Sequence, residues 1–244
     1  MTQYAFYFDQ SRCYGCQACS VACKDWNLLE PGPEKWMTVY DWETGAFPDL
    51  RLRFLAFGCA HCQKPLCARA CANGAIFKEE KYGAVLVDPE KCQGDRRCLT
   101  ACPYGSPKFA SARPGAKMSK CSMCVDRLEE GQLPTCVSSC PLRAFDFGTL
   151  SEMEARYGTL RRLEGMPDPA LTRPAFIVRE ASPKQALLPY DGAKALSLMQ
   201  RCGEYDVFAD NEDVLNVEAV RKTALVMKHA SSEALMDATR NDLG

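Results

Sequence analysis

Fifteen of the sixteen cysteines stand in four tight blocks. Block one is Cys13, Cys16, Cys19 and Cys23, and block two is Cys59, Cys62, Cys67 and Cys71. Block three is Cys92, Cys98 and Cys102, and block four is Cys121, Cys124, Cys136 and Cys140. Block one is a C-x2-C-x2-C-x3-C run, a spacing that delivers thiolates to a 4Fe–4S cluster. A cubane needs one thiolate on each iron. Two-residue gaps let one loop wrap three thiolates round three irons while its amides point at the sulfides. The fourth cysteine, three residues on, is expected to open a helix and point away, toward a second cluster. Blocks therefore work in pairs, and four of them predict a multi-cluster electron wire.

Block three breaks the pattern. It reads Cys92-Gln-Gly-Asp95-Arg-Arg-Cys98-Leu-Thr-Ala-Cys102, with Asp95 where the second cysteine belongs. Three outcomes are open. The site holds a 3Fe–4S cluster, or Asp95 ligates a fourth iron through oxygen, or the site is empty. A bound cluster is favoured because three thiolates stay in register, and the reading leans to four irons with Asp95 bound or close. Lys91, Arg96 and Arg97 flank the position. Turned inward, their charge would raise the potential; as solvated surface charges they would not.

Two other uses of cysteine fit less well. Disulfide frameworks belong mostly to short secreted domains, whereas this chain has 244 residues and a first segment, YAFYFD, that reads as a strand rather than an export signal. Structural zinc takes paired C-x2-C knuckles, often with histidine. Triplets such as Cys13, Cys16 and Cys19 crowd in more thiolates than one tetrahedral ion uses. The two histidines are His61 and His229, and His61, between Cys59 and Cys62, is expected to hydrogen-bond locally rather than bind metal. Cys202 stands alone, the mark of a small buried hydrophobe. A formal net charge of −1 argues against nucleic acid as partner. No apolar run reaches the ~18 residues of a membrane span. Clusters are built on reduced thiolates, so assembly is expected in the cytoplasm.

The elements around the blocks predict an α+β fold. Blocks two and three are joined by a strand–turn–strand, Ala75–Phe77 then Ala84–Val87. A strand at Tyr4–Phe8 precedes block one, and another at Ala144–Phe147 follows block four. This is the same plan taken apart, which implies two ferredoxin-like units, one inserted in the other. Unit A is 1–24 plus 115–150, and unit B is 55–112. A connector, 25–54, carries strands near Met37–Tyr40 and Leu52–Phe57, with Trp26, Trp36 and Trp42 as packing residues. An extension, 151–244, opens with a helix Ser151–Tyr157 capped by Ser151 and Glu154. Pro167, Pro169 and Pro174 mark an extended stretch. Val214–Met236 reads as a partly amphipathic helix that either packs on the chain's own surface or, the favoured reading, docks on a partner.

The segments SRCYGCQACSVACKDWN, GCAHCQKPLCARACANGAI and KCSMCVDRLEEGQLPTCVSSCPLRAFDFG resemble the iron–sulfur subunit of the dimethyl sulfoxide reductase family of molybdopterin oxidoreductases. The resemblance runs from residue 1 to about 178, through TRPAFIV, and is specific in the cysteine blocks. It implies a crossed ligand pattern. Cys13, Cys16, Cys19 and Cys140 hold the first cluster, and Cys121, Cys124, Cys136 and Cys23 the second. Cys59, Cys62, Cys67 and Cys102 hold the third, and Cys92, Cys98 and Cys71 the fourth, with Asp95 the departure. Some relatives of this kind, such as the nitrate reductase subunit, carry a 3Fe–4S cluster at that position. The resemblance also implies a separate molybdenum or tungsten pterin subunit, faced by the block one and four half, and a quinone-linked membrane anchor or other redox partner at the distal half.

The chain itself shows no pterin pocket signature, no Gly-rich nucleotide loop and no nucleophile–base constellation. It is expected to be a non-catalytic electron-transfer subunit of an oxidoreductase complex in anaerobic respiration. It would be peripheral to the membrane or co-exported with its catalytic partner. The alternative is a free-standing polyferredoxin shuttle.

Overall fold

The structure is a computed structural model that describes residues 2–32, 34–45, 50–182, 194, 222–227, 231 and 234. In chain order its elements are β1 (Tyr4–Asp9), α1 (Ala18–Trp26), β2 (Thr38–Thr44), β3 (Arg51–Phe57) and α2 (Leu66–Ala70). There follow β4 (Ile76–Lys78), β5 (Val85–Val87), α3 (Arg97–Ala101), β6 (Lys108–Phe109) and β7 (Met118–Ser119). The last are α4 (Val125–Glu129), α5 (Thr135–Ser138), β8 (Phe145–Thr149), α6 (Leu150–Tyr157) and β9 (Phe176–Arg179). None of these helices is long and apolar enough to cross a membrane.

The three-stranded sheet β8-β1-β9 is the largest. Its central strand reads Tyr-Ala-Phe-Tyr-Phe-Asp, and the two-residue period sends alternate side chains to opposite faces. Phe6 and Phe8 pack into the main core with Phe145, Phe147, Phe176 and Val178. Ala5 and Tyr7 face the other way, against Leu150 and Met153 of α6 and Ala175 and Ile177. A strand covered on both faces must be apolar throughout. The Tyr7 and Tyr157 rings stack at 3.6 Å, which ties the end of α6 to β1.

Both strands of the connector form. They pair antiparallel in full register from Thr38↔Phe57 to Thr44↔Arg51, and their inward residues Val39, Trp42, Leu55 and Phe57 join the main core. Trp36 Nε1 donates to Ser119 Oγ at 2.8 Å and Trp26 Nε1 to Asp126 Oδ2 at 2.7 Å. All three tryptophans are thus packing or anchoring residues, as their setting in the connector suggests.

Two sequence expectations are corrected. The α6 cap is Thr149, not Ser151. Glu152 N donates to Thr149 Oγ1 at 3.4 Å, and Thr149 N donates to Glu152 Oε2 at 3.0 Å. The capping signature occurs twice, as Thr149-x-x-Glu152 and Ser151-x-x-Glu154, and burial of Leu150 selects the earlier one. Glu154 instead pairs with Arg161. Thr149→Ala should cost about 1 kcal/mol, read as a melting midpoint lowered by roughly 2–4 °C, with no change in the visible spectrum. The second correction concerns the helix expected over Val214–Met236. Of its described residues, 222–227 are not helical, whereas Ala234 is. Leu225 and Met227 are buried in the chain's own core while Val226 between them is 55% exposed, a two-residue alternation rather than a helical one. Most of the rest of that segment, with His229, lies outside the described residues, as does Cys202.

The sequence did not single out β9 as a sheet strand. It pairs parallel with β1, from Phe6↔Phe176 to Asp9↔Arg179.

Candidate iron–sulfur sites

Each block builds a short helix around its last two cysteines. Cys19 lies in the first turn of α1 and Cys23 one turn later. Cys67 lies in α2 and Cys71 caps its end; Cys98 lies in α3 and Cys102 caps it. Cys136 lies in α5, and Cys140 follows. The helix therefore opens at the third cysteine of a block, not the fourth. The four-residue interval is about one turn, so a single short helix carries one thiol toward each of two groups.

The loops before α1 and α3 match residue for residue. Gly15 and Gly94 have φ of +76° and +73°, and Gln17 and Arg96 both adopt left-handed backbone at the N-cap. A Cβ on Gly94 would lie 2.5 Å from the Ala116 carbonyl oxygen, so glycine is required there on two counts. In this match Asp95 stands where Cys16 stands in block one. Both positions are exposed.

The described thiols converge in groups. Cys13, Cys16, Cys19 and Cys140 line one small cavity. Burial, then the neighbouring thiols Cys13, Cys140 and Cys16, push the Cys19 thiol up to about 12. Burial, then Cys121 and Cys124, raises Cys23. Cys136 is raised by burial and then by Cys121, Cys124 and Cys23. Cys62 is pushed up to about 12 by burial and by Cys59, with Cys102 also opposing its ionisation. Cys67 responds to Cys59, Cys102 and Cys62 after burial. Cys98 is pushed up to about 12 by burial, then by Asp95, Cys92 and Cys71. These thiols thus act on one another within closely spaced groups.

The groups are also neighbours. Cys19 acts on the thiols of Cys23 and Cys136, linking the first group to the second. Cys59 acts on Cys121, linking the third to the second. Helices α2 and α3, which pack together, each carry one thiol of the third group and one of the fourth.

The donor set fits iron–sulfur clusters. Buried, mutually repelling thiols ionise only against a strong local positive charge, which iron supplies. Sulfurs already receive N–H donors: Cys92 from Met118 N at 3.3 Å, Cys121 from Met123 N at 3.4 Å and Cys140 from Ala144 N at 3.2 Å. Asn27 Nδ2 lies 3.7 Å from Cys23 Sγ. Among the described residues, no three His, Cys, Asp or Glu side chains are arranged to hold a single metal ion.

The flanking cations of block three are not directed inward as a set. Lys91 pairs with Asp88 at 3.2 Å and Arg97 with Asp95 at 3.8 Å, both cations well exposed. Arg96 differs: its guanidinium binds the carbonyls of Ser111 and Arg113 and lies 5.3 Å from the Phe109 ring centroid. Its buried Nε has no acceptor.

Lys120 had no role in the sequence reading, and His61 was expected only to hydrogen-bond locally, as its N–H does to Cys59 Sγ at 3.4 Å. His61 is fully buried; its Nδ1 accepts from Val85 N at 3.0 Å, and its Nε2 lies 3.5 Å from Cys121 Sγ. These bonds span distant segments rather than the local loop. Lys120 is 2% exposed and donates to the carbonyls of Val85 and Cys121. The signal was present in the sequence: each residue sits within two positions of a ligand cysteine.

A family of 4Fe–4S dicluster domains matches residues 50–150. Over 186 residues the sequence is 38% identical to a chain of the anaerobic dimethyl sulfoxide reductase of Escherichia coli (strain K12), covering 73% of this chain and 89% of that one. It is 36% identical over 189 residues to the anaerobic dimethyl sulfoxide reductase chain of the same designation from Haemophilus influenzae, covering 73% and 90%. It is 33% identical over 185 residues to a subunit of the sulfite dehydrogenase of Allochromatium vinosum, covering 68% and 76%. Thiol blocks, paired groups and these likenesses agree, and this protein belongs to the iron–sulfur, electron-transfer subunits of the dimethyl sulfoxide reductase and molybdopterin oxidoreductase family.

Proposed function

We propose that this chain relays single electrons through four clusters between a molybdenum or tungsten pterin subunit and a quinone-linked membrane anchor or other redox partner. Iron–sulfur clusters supply reversible one-electron transfer. The chain's residues supply the rest: thiolates that fix the spacing, amides that donate to sulfur, and apolar side chains such as Met123 and Phe57 that exclude water. One observation supports this function most, the succession of neighbouring thiol groups linked through Cys19, Cys59 and the packed helices α2 and α3. The first and last groups reach the surface at Cys16 and Asp95, while Cys23, Cys124 and Cys136 of the second are buried. A row that is open at its ends and closed in its middle suits passage across the chain.

The ligand sets are Cys13, Cys16, Cys19 and Cys140; Cys121, Cys124, Cys136 and Cys23; Cys59, Cys62, Cys67 and Cys102; and Cys92, Cys98 and Cys71 with Asp95. The first three hold 4Fe–4S clusters. The fourth holds a four-iron cluster with Asp95 bound or close, or a 3Fe–4S cluster. Two ferredoxin-like units, one inserted in the other, account for this order. In support, β8 follows block four and pairs antiparallel with β1, which leads into block one. Likewise β4 follows block two and pairs antiparallel with β5, which leads into block three. The relatives named as parts of a reductase or a dehydrogenase favour a fixed complex, assembled in the cytoplasm, with the block one and four half on the catalytic subunit.

Anaerobic affinity purification of the full chain from its native host tests this. A stoichiometric partner with molybdenum or tungsten and pterin is the expected result. A monomeric, cluster-loaded chain with neither metal would point to a free shuttle instead, and near-stoichiometric zinc without acid-labile sulfide would end the electron-transfer assignment.

A further inference from the structure

We propose that His61 and Lys120 form a potential-setting bridge between the two inner cluster sites. The His61 backbone N–H donates to the Cys59 sulfur, its ring Nε2–H donates to the Cys121 sulfur, and the Lys120 ammonium is the fixed charge beside them. This rests on the ligand sets given above.

The hydrogen bonds fix the tautomer. Val85 N–H points at His61 Nδ1 at 3.0 Å, so that nitrogen is an acceptor and carries no proton. An imidazole with one bare ring nitrogen is the neutral ring. Its one ring proton therefore sits on Nε2, 3.5 Å from Cys121 Sγ. The His61 backbone N–H meets Cys59 Sγ at 3.4 Å. One residue thus serves a sulfur in each of two groups, from a backbone with φ of +41°, an uncommon conformation for a non-glycine residue.

The bonds close into a ring. Val85, whose N–H holds the imidazole, accepts through its carbonyl from Lys120 Nζ, and Lys120 Nζ also donates to the Cys121 carbonyl at 2.9 Å. Lys78 Nζ adds bonds to the Cys62 carbonyl at 2.9 Å and the His61 carbonyl at 3.5 Å. Lys120 is buried and meets carbonyls but no carboxylate among the described residues. A buried ammonium without a counter-charge is costly. Thiolate-ligated clusters are anionic, and those at Cys121 and Cys59 provide the counter-charge. The same cation and N–H donors stabilise the reduced, more anionic state and so raise both potentials.

Redox titration of the full, anaerobically loaded chain followed by EPR tests the bridge, after iron and sulfide confirm that wild type carries its clusters. His61→Phe keeps the volume and removes the donor. At fixed ambient potential the oxidised-to-reduced ratio at the Cys121 site should rise roughly tenfold, about 59 mV for a one-electron couple. His61→Gln, which can still donate, should recover much of that, and Lys120→Met should lower the Cys121 and Cys59 sites together. A second measurement needs no variant: isotopically labelled histidine nitrogen should couple to the spin of the reduced Cys121 site in electron–nuclear double resonance. Loaded variants that titrate as wild type, or a wild type with no histidine coupling, would overturn the bridge while leaving the electron wire intact. A wild type without iron and sulfide would sink the ligand sets themselves.

Discussion

Stripping iron from the full chain with an anaerobic chelator and mild oxidant should unfold it, with loss of brown colour and most helical circular dichroism. The reason lies in the size of its elements. Helices α1 to α5 span four to nine residues, and isolated helices shorter than about 12–15 residues are marginal in water. None of the five has a side-chain N-cap bond. The β4–β5 hairpin pairs three residues and β6–β7 pairs two. Between these stand the thiols, which help form both larger cores: Cys19, Cys23 and Cys136 in one, Cys67 and Cys98 in the other. Structural metal sites contribute about 10–16 kcal/mol in zinc peptides, against a net stability of roughly 5–15 kcal/mol for a domain. Losing even one site of that order exceeds what the rest can hold. The β8-β1-β9 sheet with α6 is the part with a conventional core and cap, and it should persist longest, as slow amide exchange around Phe6, Phe8 and Ile177. An iron-free chain with wild-type dichroism and melting behaviour would refute the dependence.

Much of this architecture is written in the cysteines because cluster ligation is a geometric constraint that spacing satisfies directly. The block positions, the strands flanking them and the packing role of Trp36 and Trp42 follow from local patterns, whereas Trp26 is 43% exposed. What the sequence hid depends on contacts between distant segments. Strand β9 is short and stands alone after Pro174; only its parallel seat beside β1, about 170 residues earlier in the chain, makes it a strand. The cap of α6 had two registers, and burial of Leu150 chose between them. The spaced apolar residues of Val214–Met236 suggest a helix, but Leu225 and Met227 enter the core with a two-residue alternation. The bridging geometry of His61 was invisible for a related reason: its partners, Val85 and Cys121, lie 24 and 60 residues away.

Asp95 is the position where a single substitution should change the chemistry most. It occupies the corner held in block one by Cys16, and its carboxylate is near enough to Cys98 to oppose ionisation of that thiol. Oδ1 accepts from Arg97 N at 3.3 Å, and Oδ2 lies 3.8 Å from Arg97 Nε. A carboxylate so placed can turn a harder, weaker donor than thiolate toward a fourth iron. Asp95→Cys should then leave the iron count unchanged and lower the potential of that site, because thiolate gives more electron density and the Asp95–Arg97 pair is lost. Asp95→Ala removes the oxygen and should release one iron. The electron count distinguishes the products. Three ferric ions hold an odd number of electrons, so a 3Fe–4S site gives an EPR signal when oxidised, whereas a four-iron site with equal ferric and ferrous ions holds an even number and is silent. Oxidised wild type should be silent and oxidised Asp95→Ala should not. A wild type that already shows the signal, with Asp95→Ala identical to it, means that no fourth iron reaches Asp95; the carboxylate would then serve only to hold Arg97 at the start of α3, and Asp95→Cys would add an iron where none had been.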